Sequence, residues 1–153
     1  MTSAALSMNH DPAVVPGSEL PPPIVSYRVG ACRWRLERDY GCDHEGRRVT
    51  IPGGFEFDLA SVPRQVWWLV APFELSIAAP LIHDFLYRCG GAPPPGAVVP
   101  EHRYTRREAD RLFLRMMERE GVAAWRRRAA YAAVRAFGGL AWKAALRAAS
   151  CGR

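Results

Sequence analysis

The sequence is poor in the features that mark a secreted or membrane-spanning protein. It has four cysteines among 153 residues, at positions 32, 42, 89 and 151, and no two of them form a CxxC pair. Structural zinc sites usually rest on such pairs, so we expect free thiols, with a Cys32–Cys42 bridge across a hairpin as the alternative. No run of 18 uncharged apolar residues exists, and no basic start leads into an apolar segment. We therefore expect neither a transmembrane helix nor a signal peptide.

Acidic residues are missing from the last part of the chain. From Gly121 to the end there are seven Arg or Lys and no Asp or Glu, and the whole chain carries a net charge of +6. Such a segment suits an anionic membrane surface or nucleic acid, whereas a solvated helix face is the simpler alternative. The amphipathic rings of Trp125 and Trp142 are typical of interfacial anchors, which favours lipid headgroups. Because no known nucleic-acid-binding motif is present, nucleic acid is the least favoured partner.

The periodicity of the apolar residues changes along the chain. Residues 1–24 are rich in proline and polar residues, which predicts a disordered lead. Residues 25–60 alternate between apolar and polar side chains, as β-strands do, and helical spacing dominates after residue 75. We predict helices over about 76–89, 105–120, 122–137 and 140–149, with a loop over 90–100. One α+β domain over 25–150 is therefore expected, with a small N-terminal antiparallel sheet packed on three to four α-helices.

One carboxylate stands in an otherwise apolar stripe of the second predicted helix. Thr105 and Glu108 have the spacing of a capping box, which places the start of this helix. Asp110 then shares one face with Phe113 and Met117, at positions i, i+3 and i+7. A charged group on a core-facing surface is costly unless it is paired. The pattern therefore predicts a buried partner for Asp110.

The first predicted helix carries an ionisable pair inside the apolar segment LIHDFLYR. His83 and Tyr87 are four residues apart and share a face, whereas Asp84 is turned by about 100°. If the two helices pack antiparallel, His83, Tyr87 and Asp110 meet between them, with Asp84 at the rim. Asp110 would then fix one imidazole nitrogen and leave the other as a general base. The alternative is a structural hydrogen-bonded cluster that only fixes the helix register.

The chain resembles a phage and prophage family called domain of unknown function 1353. The resemblance covers Tyr27 to Trp142 and rests on IPGGFEFDLASVPRQVWW, LIHDFLYR and YTRREADRLFLRMM, followed by the segment around WRRRAAYAAVRAFG. Phe57 stands where the family often has a small hydroxyl residue. The resemblance implies a phage-derived protein, phage proteins as partners, and a location in the cytoplasm or the phage particle.

The two helices are also similar, more distantly, to those of secreted phospholipase A2. HDFLY matches the His-Asp-x-Cys-Tyr segment of that family, and Asp110 matches the Asp of its second helix. The similarity implies that His83 activates a water molecule, that Asp84 ligates calcium, and that Asp110 and Tyr87 orient the histidine. Leu86 replaces the family's cysteine, and its calcium-binding loop is absent. We expect the segment GGFEFDLASVPR, with Asp58, to complete the calcium site instead.

Two functions from different classes follow from these patterns. The first is a calcium-assisted hydrolase with His83, Asp110 and Tyr87 as catalytic residues and Asp84 and Asp58 as metal ligands, acting on a phospholipid or another ester. The alternative is a non-catalytic phage structural or interaction protein in which the His–Asp cluster is structural.

Overall fold

Strands occupy the first part of the described chain and helices most of the second. The computed structural model describes residues 20–31, 33–57 and 77–151. The strands are β1 (Val25–Arg28), β2 (Arg33–Leu36), β3 (Tyr40–His44), β4 (Arg47–Ile51), β5 (Glu56–Phe57) and β6 (Val98–Val99). The helices are α1 (Ala78–Arg88), α2 (Arg106–Arg119), α3 (Ala124–Phe137) and α4 (Gly139–Cys151). The predicted α+β class is confirmed.

The β3–β4 hairpin shows how the sequence alternation produces a sheet with one buried face. Alternate residues of the two strands are buried away from the turn, namely Tyr40, Cys42, Val49 and Ile51. Tyr40 pairs with Ile51 and Cys42 with Val49, so the buried side chains of both strands lie on the same face. The connecting residues Glu45 and Gly46 have positive φ angles of 48° and 73°. This conformation suits a two-residue hairpin turn.

The strands form two antiparallel sheets, whereas a single sheet was predicted. One sheet has the order β1-β2-β5 and the other the order β3-β4-β6. β6 lies between α1 and α2, where the sequence predicted only a loop, and its Val98 pairs with Val49 of β4. A two-residue strand is too short to show an alternating pattern, so periodicity could not reveal it. The expected order, with every strand before the first helix, is wrong at this point.

The helix boundaries lie within two residues of the predicted ones because their end signals are local. The capping box is confirmed: the backbone N–H of Glu108 donates to Thr105 Oγ1, and the backbone N–H of Thr105 donates to Glu108 Oε2. At the end of α1, Gly90 and Gly91 adopt φ angles of 56° and 74°. The Gly91 N–H donates to the Leu86 carbonyl, which closes the helix.

Hydrogen bonds at both ends of α1 connect it to α2. Just after α1, the Gly91 carbonyl accepts a hydrogen bond of 2.7 Å from the Tyr104 N–H, which lies just before α2. At the opposite end, the carboxyl group of Glu120, the residue after α2, accepts from the Ala79 N–H in the first turn of α1. Because the end of each helix meets the start of the other, the two helices run in opposite directions.

The core joins both sheets to all four helices. It contains Leu36 and Phe57 from the first sheet, Val49 and Ile51 from the second, and residues from each helix as far as Trp142. Leu20, which the sequence analysis assigned to the lead, is 9% exposed and belongs to this core. Residues 1–19 lie outside the described residues. None of the helices in the described ranges is long and apolar enough to cross a membrane.

Two of the four cysteines can be described, and both are free. Cys42 is buried, and Cys89 is partly buried. Burial raises the pKa of the Cys42 thiol to about 11. The expected free thiols are confirmed at these two positions. Because Cys42 is free, the alternative bridge to Cys32 is wrong; Cys32 itself lies outside the described residues.

Candidate functional site

Asp110 lies at the centre of a polar cluster between three helices, and its side chain is fully buried. Its Oδ1 is 3.0 Å from His83 Nε2 and accepts a hydrogen bond of 2.6 Å from the Tyr87 hydroxyl. Its Oδ2 accepts from Arg135 Nη1 at 2.8 Å. His83 and Tyr87 come from α1, Asp110 from α2 and Arg135 from α3. The predicted hydrogen bonds of Asp110 with His83 and Tyr87 are confirmed.

These contacts keep the Asp110 carboxyl ionised inside the protein. Burial raises the pKa of Asp110, but the hydrogen bonds from His83, Tyr87 and Arg135 lower it by a larger amount. The pKa of Asp110 therefore lies below its ordinary value. The hydrogen bond to Asp110 raises the pKa of Arg135, whose charge balances that of the carboxylate. Burial, followed by the bond to Asp110, raises the pKa of Tyr87, which therefore stays a neutral donor. An ionised Asp110 can only accept a hydrogen bond, so His83 Nε2 carries the hydrogen and donates it, and Nδ1 is the acceptor nitrogen of the neutral imidazole.

Aromatic rings enclose the histidine and the tyrosine of the cluster. The His83 ring lies 4.2 Å from the Tyr87 ring and 4.8 Å from the Phe113 ring, measured between centroids. The edge of Trp142 in α4 packs against Tyr87 at 5.0 Å. A Cβ at position 138 would lie 2.5 Å from the Tyr87 hydroxyl oxygen, so Gly138 leaves room for that group. Packing therefore adds to the hydrogen bonds in holding both rings in place.

Trp142 does not have the role predicted for it as an interfacial anchor. Its side chain is 8% exposed and packs against Tyr87. Gly91 makes room for it, because a Cβ at that position would lie 2.8 Å from the indole. The sequence shows the amphipathic character of the residue but not the space that a distant glycine leaves. Trp125, the other predicted anchor, is 58% exposed.

Asp84 follows His83 directly but has a different partner. Arg88 Nη2 lies 3.2 Å from Asp84 Oδ2, one helical turn further along α1. The guanidinium group of Arg88 also lies over the Phe55 ring, 5.2 Å from its centroid. Asp84 is 7% exposed and therefore buried, whereas the sequence analysis placed it at the rim. Packing on Phe55 holds Arg88 in a position where it covers the carboxylate.

The described residues do not fit a calcium ion. Calcium takes six to eight oxygen ligands, mostly from carboxylates and carbonyls. Among residues 20–31, 33–57 and 77–151, no group of three or more His, Cys, Asp or Glu could hold a metal ion. The positive charge of Arg88 already lies beside Asp84. A cation that binds Asp84 would have to displace the Arg88 side chain. Asp58, the second predicted ligand, lies outside the described residues, so the calcium site stays a prediction and no step below is derived through it.

Arg135 is the member of the cluster that sequence reasoning missed. It was counted with the basic residues of the C-terminal helices, which were interpreted as a surface for anions. The Tyr87 hydroxyl brings no positive charge, so a fully buried carboxylate called for a permanent cation as well. That requirement was a usable signal. It could not show which of the basic residues on the later helices turns inward.

The sequence model of one protein family, described as "Protein of unknown function (DUF1353)", matches residues 34–134. No curated protein and no solved structure matches the chain. The similarity to the phospholipase A2 helices and the origin in a phage therefore stay predictions.

Proposed function

Because the chain belongs to the DUF1353 family, whose description names no activity, we propose a function from the Asp110 cluster itself: hydrolysis of an ester by water that His83 activates. The observation that carries the proposal is the bond of 3.0 Å between His83 Nε2 and Asp110 Oδ1. Within the described part of the chain, His83 Nδ1 makes no hydrogen bond with another residue. Nδ1 is therefore the atom that takes a proton from water.

The reaction needs one proton transfer in each direction. His83 Nδ1 removes a proton from a water molecule as the water oxygen attacks the ester carbonyl carbon. The tetrahedral intermediate then collapses, the bond to the alcohol oxygen breaks, and the imidazolium returns the proton to the leaving alkoxide. The products are a carboxylic acid and an alcohol. A general base in this position contributes a rate factor of about 10²–10⁴.

Asp110 supports both proton transfers without changing its own protonation state. It stays ionised because His83, Tyr87 and Arg135 all donate to it. Its negative charge stabilises the imidazolium that forms on His83, and its hydrogen bond fixes the ring orientation. Tyr87 and Arg135 fix the carboxylate in turn. In this proposal His83 is the catalytic residue, and the other three are positioning residues.

A second candidate is a non-catalytic interaction or phage structural protein, which the burial of the cluster favours. His83 is 4% exposed, and Asp110 links three helices from a fully buried position. A cluster that only fixes the packing of α1, α2 and α3 would have the same contacts. The two candidates differ in what the protein does to an ester, and not in its fold.

The test is ester hydrolysis by the wild-type protein and by variants of His83 and His10. Short-chain nitrophenyl esters and phospholipid vesicles serve as substrates, with and without added calcium. We expect His83→Gln to lower kcat by at least about 100-fold, since a general base is lost. His10→Gln, in the N-terminal segment, is the matched control and should leave kcat unchanged. Circular dichroism of each variant checks that the fold is retained.

Asp110→Asn provides the positioning control. It should lower kcat more than it changes KM, because it weakens the orientation and charge stabilisation of His83 and not substrate binding. If the wild-type protein cleaves none of these esters above the buffer rate, the hydrolase proposal is wrong and the second candidate replaces it.

A further inference from the structure

A concave groove lies on a part of the molecule that the Asp110 cluster does not use. It has a volume of about 630 Å³, a size suited to a small organic ligand. The β3–β4 hairpin forms one wall, and the segment leading into α2 together with α2 itself forms the other. Its charged lining consists of Arg47, Arg111, Arg115, Glu45 and Glu108, with His44 and His102 beside them. Tyr104 and Tyr131 add two aromatic rings.

One of the two acidic residues of the groove, Glu108, is already engaged. Glu108 accepts hydrogen bonds from the Thr105 N–H and hydroxyl at 2.7 Å each, and His102 Nε2 lies 3.4 Å away. These contacts with Thr105 lower the pKa of Glu108 and fix its side chain at the helix start. The Glu45 side chain is 73% exposed and lies 3.6 Å from His44 Nε2. Neither carboxylate forms an ion pair with a groove arginine within the described ranges.

Two of the three arginines are therefore available to a ligand. Arg115 donates to Glu118 and is engaged. The side chains of Arg47 and Arg111 form no ion pair or hydrogen bond with any residue in the described part of the chain. The Nε of Arg47 is buried and has no hydrogen-bond partner there. The guanidinium groups of Arg47 and Arg111 therefore have no carboxylate partner among the described residues, and an anion bound in the groove would supply one.

We propose that this groove binds a phosphate monoester through Arg47 and Arg111, with Tyr131 beside the organic part of the ligand. Guanidinium groups present several N–H donors in a planar fork that matches phosphate oxygens. The concave shape favours a small ligand over a flat surface such as a lipid bilayer. The site does not depend on His83 or on ester hydrolysis.

The experiment is calorimetric titration of the full chain at low ionic strength with two phosphate monoesters, glycerol 3-phosphate and adenosine 5′-monophosphate. Both should bind saturably. Tighter binding of the nucleotide would indicate that its adenine ring contacts the groove tyrosines. Equal affinity would indicate that only the phosphate group is recognised. Arg47→Gln and Arg111→Gln should each raise Kd by at least about 10-fold, because a charge-assisted contact is lost.

Arg107→Gln is the matched control, since Arg107 is an exposed arginine of α2 outside the groove lining. It should leave Kd within about two-fold of the wild-type value. Arg111 is exposed, so its variant also keeps the test decisive if Arg47→Gln fails to fold. Absence of saturable binding by both monoesters would overturn the proposal. An equal loss of affinity in Arg107→Gln would also overturn the proposal. It would show that binding depends on the overall positive charge of the protein and not on the groove arginines.

Discussion

At the scale of single residues, Asp110 joins three helices through one carboxylate. Replacing it with alanine leaves the donors of His83 and Tyr87 without their acceptor inside the core, and removes the partner of the partly exposed Arg135. We expect Asp110→Ala to lower the free energy of unfolding by about 3 kcal/mol, because buried donors lose their acceptor. Urea denaturation followed by circular dichroism measures this value.

Asp43→Ala is the control for this substitution. Asp43 also pairs with an arginine, Arg48 at 3.1 Å, but both side chains are at least 60% exposed. Its loss should change the free energy of unfolding by at most about 0.5 kcal/mol. Because the pKa of Asp110 is lowered in the folded state, its contribution is present above the ordinary value of 3.8 and disappears as the pH falls through the folded-state value. Equal effects of the two substitutions would contradict the assigned role of Asp110.

Glu120 makes stability depend on pH in the opposite sense. Burial raises its pKa from 4.5 to about 7, although Arg119 and the Ala79 N–H lower it in part. The unfolded chain therefore releases the Glu120 proton at lower pH than the folded protein, and stability falls as the pH rises from about 4.5 to 7. The shift sets an upper bound of about 3 kcal/mol, and we expect about 1 kcal/mol because the side chain is partly exposed.

Glu120→Gln tests this pH dependence. Glutamine cannot ionise and still offers an oxygen to the Ala79 N–H. The variant should be more stable than the wild type at pH 8 and similar to it at pH 4.5, as measured by urea denaturation at both values. A wild-type stability that rises between these two pH values, with no change in Glu120→Gln, would rule out this role.

At the scale of whole elements, α4 is attached mainly through one side chain. Among residues 139–148, Trp142 alone is buried, and it packs on Tyr87 beside Gly91. We expect Trp142→Ala to lower the free energy of unfolding by about 3 kcal/mol and to release α4. Limited trypsin digestion should then cut at Lys143 and Arg147 faster than in the wild type. Leu140→Ala, at a position that is 81% exposed, should leave both measurements unchanged.

The elements also show what the sequence could and could not predict. The ends of α2 and the pairing of Asp110 were predictable because a capping box and a helix face involve residues close in the chain. Whether the strands form one sheet or two depends on which edges meet across long stretches of sequence. The contribution of Arg135 depends on how α3 rotates as it packs, and the burial of Asp84 on how Arg88 lies against Phe55. Local patterns contain none of this information.

At the scale of the whole molecule, positive charge is concentrated at the C-terminal end. α3 and α4 contain six basic residues and no acidic one, although Arg135 pairs with Asp110 and Arg127 with Glu118. Apolar side chains on the same helices are exposed, with Trp125 at 58%, Phe137 at 59% and Leu140 at 81%. We expect the protein to sediment with vesicles that contain about 30 mol% anionic lipid. Binding should be lost in about 1 M salt, where charges are screened beyond about 3 Å.

Vesicles of neutral lipid are the control for this prediction. Equal sedimentation with neutral and anionic vesicles would show that the basic residues play no part. Trp125→Ala removes one of the exposed aromatic side chains. It should weaken vesicle binding at low salt without changing how binding depends on salt.

The pairing of β6 with β4 also has a kinetic consequence for how the molecule assembles. The β3–β4 hairpin involves neighbouring residues and closes a short loop, so it can form early. Val98 meets Val49 only after the chain has passed through the whole of α1 and returned to the hairpin. The entropy of closing so long a loop is compensated only once α1 has docked. We therefore expect this edge of the second sheet to form late on the folding pathway, so that a substitution at Val98 changes the unfolding rate more than the folding rate.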